Sequence, residues 1–242
     1  MADTLLLDVQ AGSQFQNATG APEFVVWLSK TTGYAFSIDS TTSSLRLVYQ
    51  KTTTGPTGFG AAVQAGSVDS VRRFAIWFDK WTEGDTGDLI HIAWVEGINH
   101  VVRYRNLDTS TDTLSTAVVV FNGASVDAAA QLAQGACAIE KVASDLLVIH
   151  ARLDNDGENV DRYSTDGGST WNTHTATVFG SNTTSVMCLG AYSATEYAVL
   201  HLNRTDGVLT LKRVSTASIV STSATLATIT VDDGYQMVSG SM

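Results

Sequence analysis

Runs of alternating apolar and polar residues recur along the chain, broken by clusters of Gly, Asn, Asp, Ser and Thr. Period-two runs rich in Val, Ile, Thr and aromatics predict β-strands, and the clusters between them predict turns. The runs fall into sets of four. Strands are expected at 23–29, 34–40, 45–51 and 59–65, and then at 73–79, 88–95, 100–106 and 115–121. A third set is expected at 135–141, 146–152, 159–165 and 174–179, and a fourth at 185–191, 196–202, 208–214 and 222–230.

The sets are copies of one unit. Cys137 to His150 and Cys188 to His201 share the same spacing, with the copies 51 residues apart. Upstream, Asp88 to Trp94 leads through Gly97 into 101–105, much as Asp145 onward leads through Gly157 into 161–163. Further upstream, Gly33 to Asp39 leads into Leu45 to Tyr49. A repeat of about 40–55 residues with four strands has the size of a propeller blade.

One turn carries a sharper signal. Ser164-Thr165-Asp166-Gly167-Gly168-Ser169-Thr170-Trp171, preceded by Arg162-Tyr163, matches the pattern S-x-D-x-G-x-T-W. A short polar side chain can satisfy turn amides there, while glycines take conformations closed to other residues. The segment resembles the Asp-box, or BNR repeat, of sialidase-like β-propellers. That resemblance implies an all-β propeller with four-stranded antiparallel blades at 23–66, 72–122, 133–180 and 185–230. It gives Ser164, Asp166, Gly168, Thr170 and Trp171 a structural role at the rim, away from a central pocket. The other copies are degenerate: Lys51 to Phe59 keeps glycine, threonine and an aromatic, and Asn106 to Asp112 keeps only the Asp. The ends, with an apolar strand at 5–9 and a short segment after Tyr235, suit either a fifth blade shared by the termini or a longer parent chain. A solenoid or two packed sandwiches are the other architectures consistent with the pattern.

With 242 residues, 44% of them hydrophobic, the chain can bury a substantial core, and nothing marks a domain boundary. The apolar runs are strand-sized, so no membrane insertion is expected. The first residues lack the basic and apolar regions of a secretory signal, which predicts synthesis in a cytoplasm without general export. The sequons at Asn17, Asn182 and Asn203 then carry no meaning. A net charge of −10 with only 14 scattered Lys and Arg argues against nucleic acid as a partner.

Several residues are weighed for chemistry. The Cys137/His150 and Cys188/His201 pairs lack the close partners that a zinc site needs, and small buried thiols and strand histidines are expected instead. Asp154, Asp156 and Asp161 are weak calcium candidates in an Asn-Asp-Gly turn segment, and the acidic loop 82–88 is a weaker one. No metal or other cofactor is expected. The family resemblance raises a sialidase-like glycosidase, but its Arg-Ile-Pro segment is absent, since Pro22 and Pro56 do not follow arginine. No catalytic residues are assigned. Among Trp27, Trp77, Trp81, Trp94 and Trp171, Trp81 beside the acidic loop is the expected exposed platform for a ligand.

The composition is rich in Thr, Ser, Ala and Gly and poor in Lys, a style similar to that of bacteriophage tail, fibre and decoration proteins. The expected function is a non-enzymatic structural or attachment component of such a virion. Its partners would be other virion proteins or copies of itself, with glycans as a further partner. A glycan-binding module or a sialidase-like hydrolase is the alternative.

Overall fold

The computed structural model describes residues 24–39, 45–66, 71–96, 101–122, 137–143, 145–152, 159–173, 184–193, 196–203, 208–215 and 224–228. These residues form an all-β protein of four antiparallel sheets taken in chain order. Sheet one runs β1 (Phe24–Trp27), β2 (Gly33–Asp39), β3 (Arg46–Thr52) and β4 (Val63–Gln64). Sheet two holds β5 (Val71–Phe78), β6 (Leu89–Glu96), β7 (Val101–Asp108), β8 (Thr113–Leu114) and β9 (Val118–Asn122). Sheet three holds β10 (Cys137–Lys141), β11 (Leu147–Arg152), β12 (Asn159–Ser164) and β13 (Asn172–Thr173). Sheet four holds β14 (Thr184–Ser193), β15 (Glu196–Asn203), β16 (Val208–Ser215) and β17 (Ala224–Thr228).

The sheets stack face to face, and three cores lie between them. Side chains alternate across a strand, so an interior sheet feeds two cores at once. In β5, Phe74, Ile76 and Phe78 enter the core shared with sheet one, while Ala75 enters the core shared with sheet three. In β6, Ile90, Ile92 and Trp94 face the first core, and Ala93 and Val95 the second. In β11, Leu147, Ile149 and Ala151 complete the second core, and Val148 joins Tyr197, Val199 and Val214 in the third. Double-sided burial explains the continuous apolar runs at these strands. Strands β1 and β5 lie side by side, as do β5 with β10 and β10 with β14. The Phe24 and Phe74 rings meet edge-on at 5.6 Å, and the Val71 amide donates to the Leu45 carbonyl beyond the far end of β2. Strands β1 and β5 therefore run in the same direction.

The outer strands depart most from expectation. The strand anticipated at 115–121 is divided into β8 and β9, which pair with opposite ends of β7. Arg105 occupies the break: Nε (2.9 Å) and Nη2 donate to the Ser115 carbonyl, and Nη1 donates to the Ala65 carbonyl at 3.1 Å. The strand anticipated at 59–65 shrinks to Val63–Gln64 plus a bridge from Phe59 to Thr52. The Gly60 amide and carbonyl bond to the Lys51 carbonyl and the Gln50 side chain, both at 2.8 Å. The segments at 5–9, at 174–179 and after Tyr235 lie outside the described residues.

The Cys-to-His repeat conceals a difference in register. His150 pairs with Ala138 and Cys137 with Ala151, whereas His201 pairs with Val186 and Cys188 with Leu200. An irregularity between Val186 and Cys188 alters the pairing, so equal spacing along the chain does not give equal positions in the sheet.

Core position should decide tolerance to truncation. Leu147→Ala, at a fully buried site between sheets two and three, is expected to cost about 2–5 kcal/mol. Val63→Ala, 44% exposed on β4, should stay within about 0.5 kcal/mol. Urea unfolding midpoints of the two variants test the contrast.

Candidate functional site

Strand alternation points His91 and Tyr104 of sheet two toward sheet three, where Asp79, just past the end of β5, and Lys141 meet them. Asp79 opens the 3-10 turn Asp79–Trp81 directly after β5. Its Oδ1 accepts from His91 Nε2 at 2.8 Å and from Lys141 Nζ at 2.6 Å, and its Oδ2 from the Leu89 amide at 3.0 Å. His91 Nδ1 lies 2.7 Å from Tyr104 Oη, and the two rings are nearly parallel. Lys141 Nζ also lies 2.7 Å from Asp85 Oδ2. Thr82 accepts the Trp77 indole N–H at 2.9 Å and donates to the Lys141 carbonyl at 2.7 Å. Asp79, His91 and Lys141 are all buried.

The protonation states follow from these contacts. Burial alone would raise Asp79, but hydrogen bonds from His91, Lys141 and the Leu89 amide hold it well below the usual carboxylate range. Burial lowers His91 despite its bond to Asp79, which leaves the ring neutral at pH 7. The neutral ring donates from Nε2 to Asp79 and accepts the Tyr104 hydroxyl at Nδ1. Burial works to lower Lys141 too, but Asp79 and Asp85 together raise it. The Asp79 carboxylate and the Lys141 ammonium are thus a buried ion pair, with Asp85 bonded to the same ammonium from the loop. Such a cluster is costly to form and more costly to leave half-made. Its effect is mechanical: it ties the 79–88 hairpin of sheet two to β10 of sheet three.

The turn from Ser164 to Trp171 covers the same interface. The Asp166 and Gly168 amides donate to Ser164 Oγ at 3.3 and 2.8 Å, and Ser164 Oγ donates to Asp166 Oδ1 at 2.7 Å. Asp166 also accepts from the Thr170 amide at 2.9 Å and hydroxyl at 2.6 Å. These bonds, led by the Thr170 hydroxyl, lower Asp166 to about 2. The Trp171 indole N–H closes the turn on the Gly168 carbonyl at 3.1 Å. The five residues singled out in the motif therefore meet in one hairpin. The turn also packs on its neighbour: Trp171 meets the Tyr104 ring at 5.1 Å, and the Gly167 carbonyl lies 3.3 Å from Tyr104 Oη. Gly168, at φ +94°, has no room for a side chain, because a Cβ would fall 2.2 Å from Tyr104.

Turns of the same span recur. Thr52 bridges Phe59 and Leu107 pairs with Leu114, each seven residues on, as Ser164 to Trp171 are. Thr52 Oγ1 accepts the Thr54 amide at 3.2 Å, the counterpart of the Ser164 bond to Asp166. The Gly55 and Gly167 amides each donate to the first hairpin of their own sheet, at Thr31 and Asp145. Leu107 has no hydroxyl, and in that turn Asp108 accepts the Ser110 amide at 2.8 Å instead.

Each sheet interface also carries a tyrosine hydroxyl near or bonded to the facing sheet. Tyr34 donates to Asp112, which also holds Lys51 at 2.5 Å. Tyr104 lies beside Gly167, and the Tyr197 hydroxyl sits 3.2 Å from both Asp161 oxygens. Burial raises Asp161 to about 7, with the Tyr197 bond opposing.

The remaining candidates separate. Asp154 and Asp156 lie outside the described residues, and among the described residues no three His, Cys, Asp or Glu side chains gather as a metal site. In the 82–88 loop, Asp85 is committed to Lys141 and Asp88 to Lys80 at 2.8 Å. His150 is buried, and burial pushes the Cys137 thiol up to about 12. Trp81 is 46% exposed, and Trp27, which sequence reasoning did not single out, is 42% exposed. The Asp79–His91–Tyr104–Lys141 cluster was also missed. Its signal was a histidine inside the apolar run 89–95 and a lysine ending a buried strand.

Two outcomes are expected. Lys141→Met leaves Asp79 and Asp85 without their cation and should cost about 3–5 kcal/mol by denaturant unfolding. The folded Asp161 holds its proton up to about 7, against 3.8 in the unfolded chain. This carboxyl therefore favours folding at low pH, and its contribution is lost as pH rises from about 4 to about 7. His91, with a lowered pKa, acts oppositely, so the comparison is made against Asp161→Asn. Relative to that variant, the wild-type melting temperature should fall between pH 5 and pH 8.

No protein-family model matches the chain, and a search of curated proteins finds no significant relative.

Proposed function

We propose that the chain is a non-enzymatic structural or attachment component of a phage-like virion, with its four sheets serving as consecutive blades of a β-propeller. The observation that carries this reading is the use of the buried polar groups. Asp79, His91, Tyr104 and Lys141 are bonded to one another across a sheet interface, which suits bracing. The stacked sheets, with first strands side by side, support blade order, and the turn 164–171 supports kinship with Asp-box propellers. The ring is completed by the terminal segments, by further blades of a parent chain, or by copies of the chain. The Thr-, Ser-, Ala- and Gly-rich, lysine-poor composition supports a particle protein made in a host cytoplasm, with other virion proteins or its own copies as partners.

Native mass spectrometry and peptide mapping of particles purified from the source test this reading. The expected result is the chain in fixed stoichiometry within a large assembly. A free monomer that turns over a fluorogenic sialoside would overturn it in favour of a sialidase-like hydrolase.

A further inference from the structure

One row of paired residues recurs at the same height in three sheets. In sheet two it runs Phe78, Ile90, Leu107 and Leu114 across four strands, and in sheet three Lys141, Leu147 and Ser164, with Trp171 seven residues on. Both rows face the preceding sheet. Phe78, Ile90, Leu107 and Leu114 pack into the core with sheet one, while Leu147 and Trp171 pack into the core with sheet two, where Lys141 reaches Asp79. The matching row of sheet one is Trp27, Gly33, Thr52 and Phe59. Val26, Tyr34 and Tyr49 turn toward sheet two, so this row looks the other way, where the described residues place no preceding sheet. Exposure records the difference: Phe78 is 3% exposed, whereas its counterpart Trp27 is 42% exposed and rests edge-on against its own row's Phe59 at 6.1 Å.

The stack is open at its other end too. Tyr197, Val199 and Val214 face sheet three, so alternation and register place Ala198, Leu200 and Leu202 of β15 with Leu209, Leu211 and Arg213 of β16 on the outward face. Leucine pairs with leucine there twice, Leu200 with Leu211 and Leu202 with Leu209, and Leu211 is 36% exposed. A sheet whose outward face is this apolar is built to be covered. Charge does not oppose a cover. Arg213 is held by Glu196 at 3.2 Å, and Asp39 stands across from Arg46 on the outward face of sheet one, so the charges come in opposite pairs although the chain carries −10. Among the described residues no strand of sheet one lies beside a strand of sheet four, so these two faces do not cover each other within one chain.

We infer that the outward face of sheet one docks, head to tail, on the outward face of sheet four of a second copy of the chain. The contact continues an interface that the fold already makes twice, in which a backward-facing row meets the forward face of the sheet before it. Two sheet-four faces meeting each other would leave Trp27 uncovered. Head-to-tail pairing covers both faces, and two copies related by a two-fold axis close all four. The inference rests on the blade reading above and names the partner that completes the ring.

Analytical ultracentrifugation of the full chain tests it, with twice the mass of one chain as the expected result. Trp27→Lys and Leu211→Lys should each raise the dissociation constant about thirtyfold or more. Val119→Lys, at an exposed site on β9, should leave it unchanged. Thermal melts confirm that the variants fold. Because the two disruptive variants spoil opposite faces, an equal mixture of them keeps one intact pairing and should associate more tightly than either alone. A monomeric wild-type chain, the result expected of a ring closed by the terminal segments, overturns the inference. So does wild-type association by either disruptive variant, or a mixture that gains nothing. Peptide mapping of particles scores the virion reading separately: a monomer found in particles defeats this inference alone, and an associating chain absent from particles defeats the virion reading alone.

Discussion

Burial on both faces is the constraint from which the rest of this structure follows. Sheets two and three each lie between two others, so every inward position on either face must be apolar or find a partner within the fold. Apolar residues meet most of the demand, with small Ala75 and Ala93 alternating with large Phe74, Ile76, Ile92 and Trp94. Polar residues enter at a limited set of positions. Asp79, Thr82, Lys141 and Ser164 gather at hairpin ends, where backbone amides and neighbouring loops supply bonds, while Glu140 and His150 are buried within strands.

Asp79 is the clearest case. One carboxylate accepts bonds from a side chain of its own sheet, a side chain of the next sheet and a backbone amide, and so fixes the relation of two sheets at one point. Hydrophobic packing is non-directional and would tolerate small slides of one sheet over the other. A buried carboxylate held by three donors, one of them the Lys141 ammonium, does not, because a slide would strand a charge in the interior. The tyrosines at the interfaces add the same kind of definition in milder form.

The strand plan was legible because alternation and turn chemistry are local properties. Thirteen of the sixteen anticipated strands, such as 34–40 against Gly33–Asp39 and 146–152 against Leu147–Arg152, agree with the observed bounds to within two residues at each end. The outer strands were less legible because their extent is set by distant partners, as where Arg105 reaches Ser115 and Ala65. The turn at 164–171 was visible because its polar residues are close in sequence. The Asp79 cluster was invisible because its members span 79 to 141 without a motif, and only folding brings them together. Trp27 escaped notice because a tryptophan at a strand end reads as core until the neighbouring sheet is placed.

The seven-residue span of the closing turns has a consequence for how such chains diverge. Thr52 to Phe59, Leu107 to Leu114 and Ser164 to Trp171 share a length but hardly a residue. Their residues differ while their length does not, and one added residue would turn the outer strand's inward face outward. Kinship among the sheets is therefore written in counting, not in spelling. A comparison that scores letters recognises one turn of the three, and one that scores intervals recognises them all.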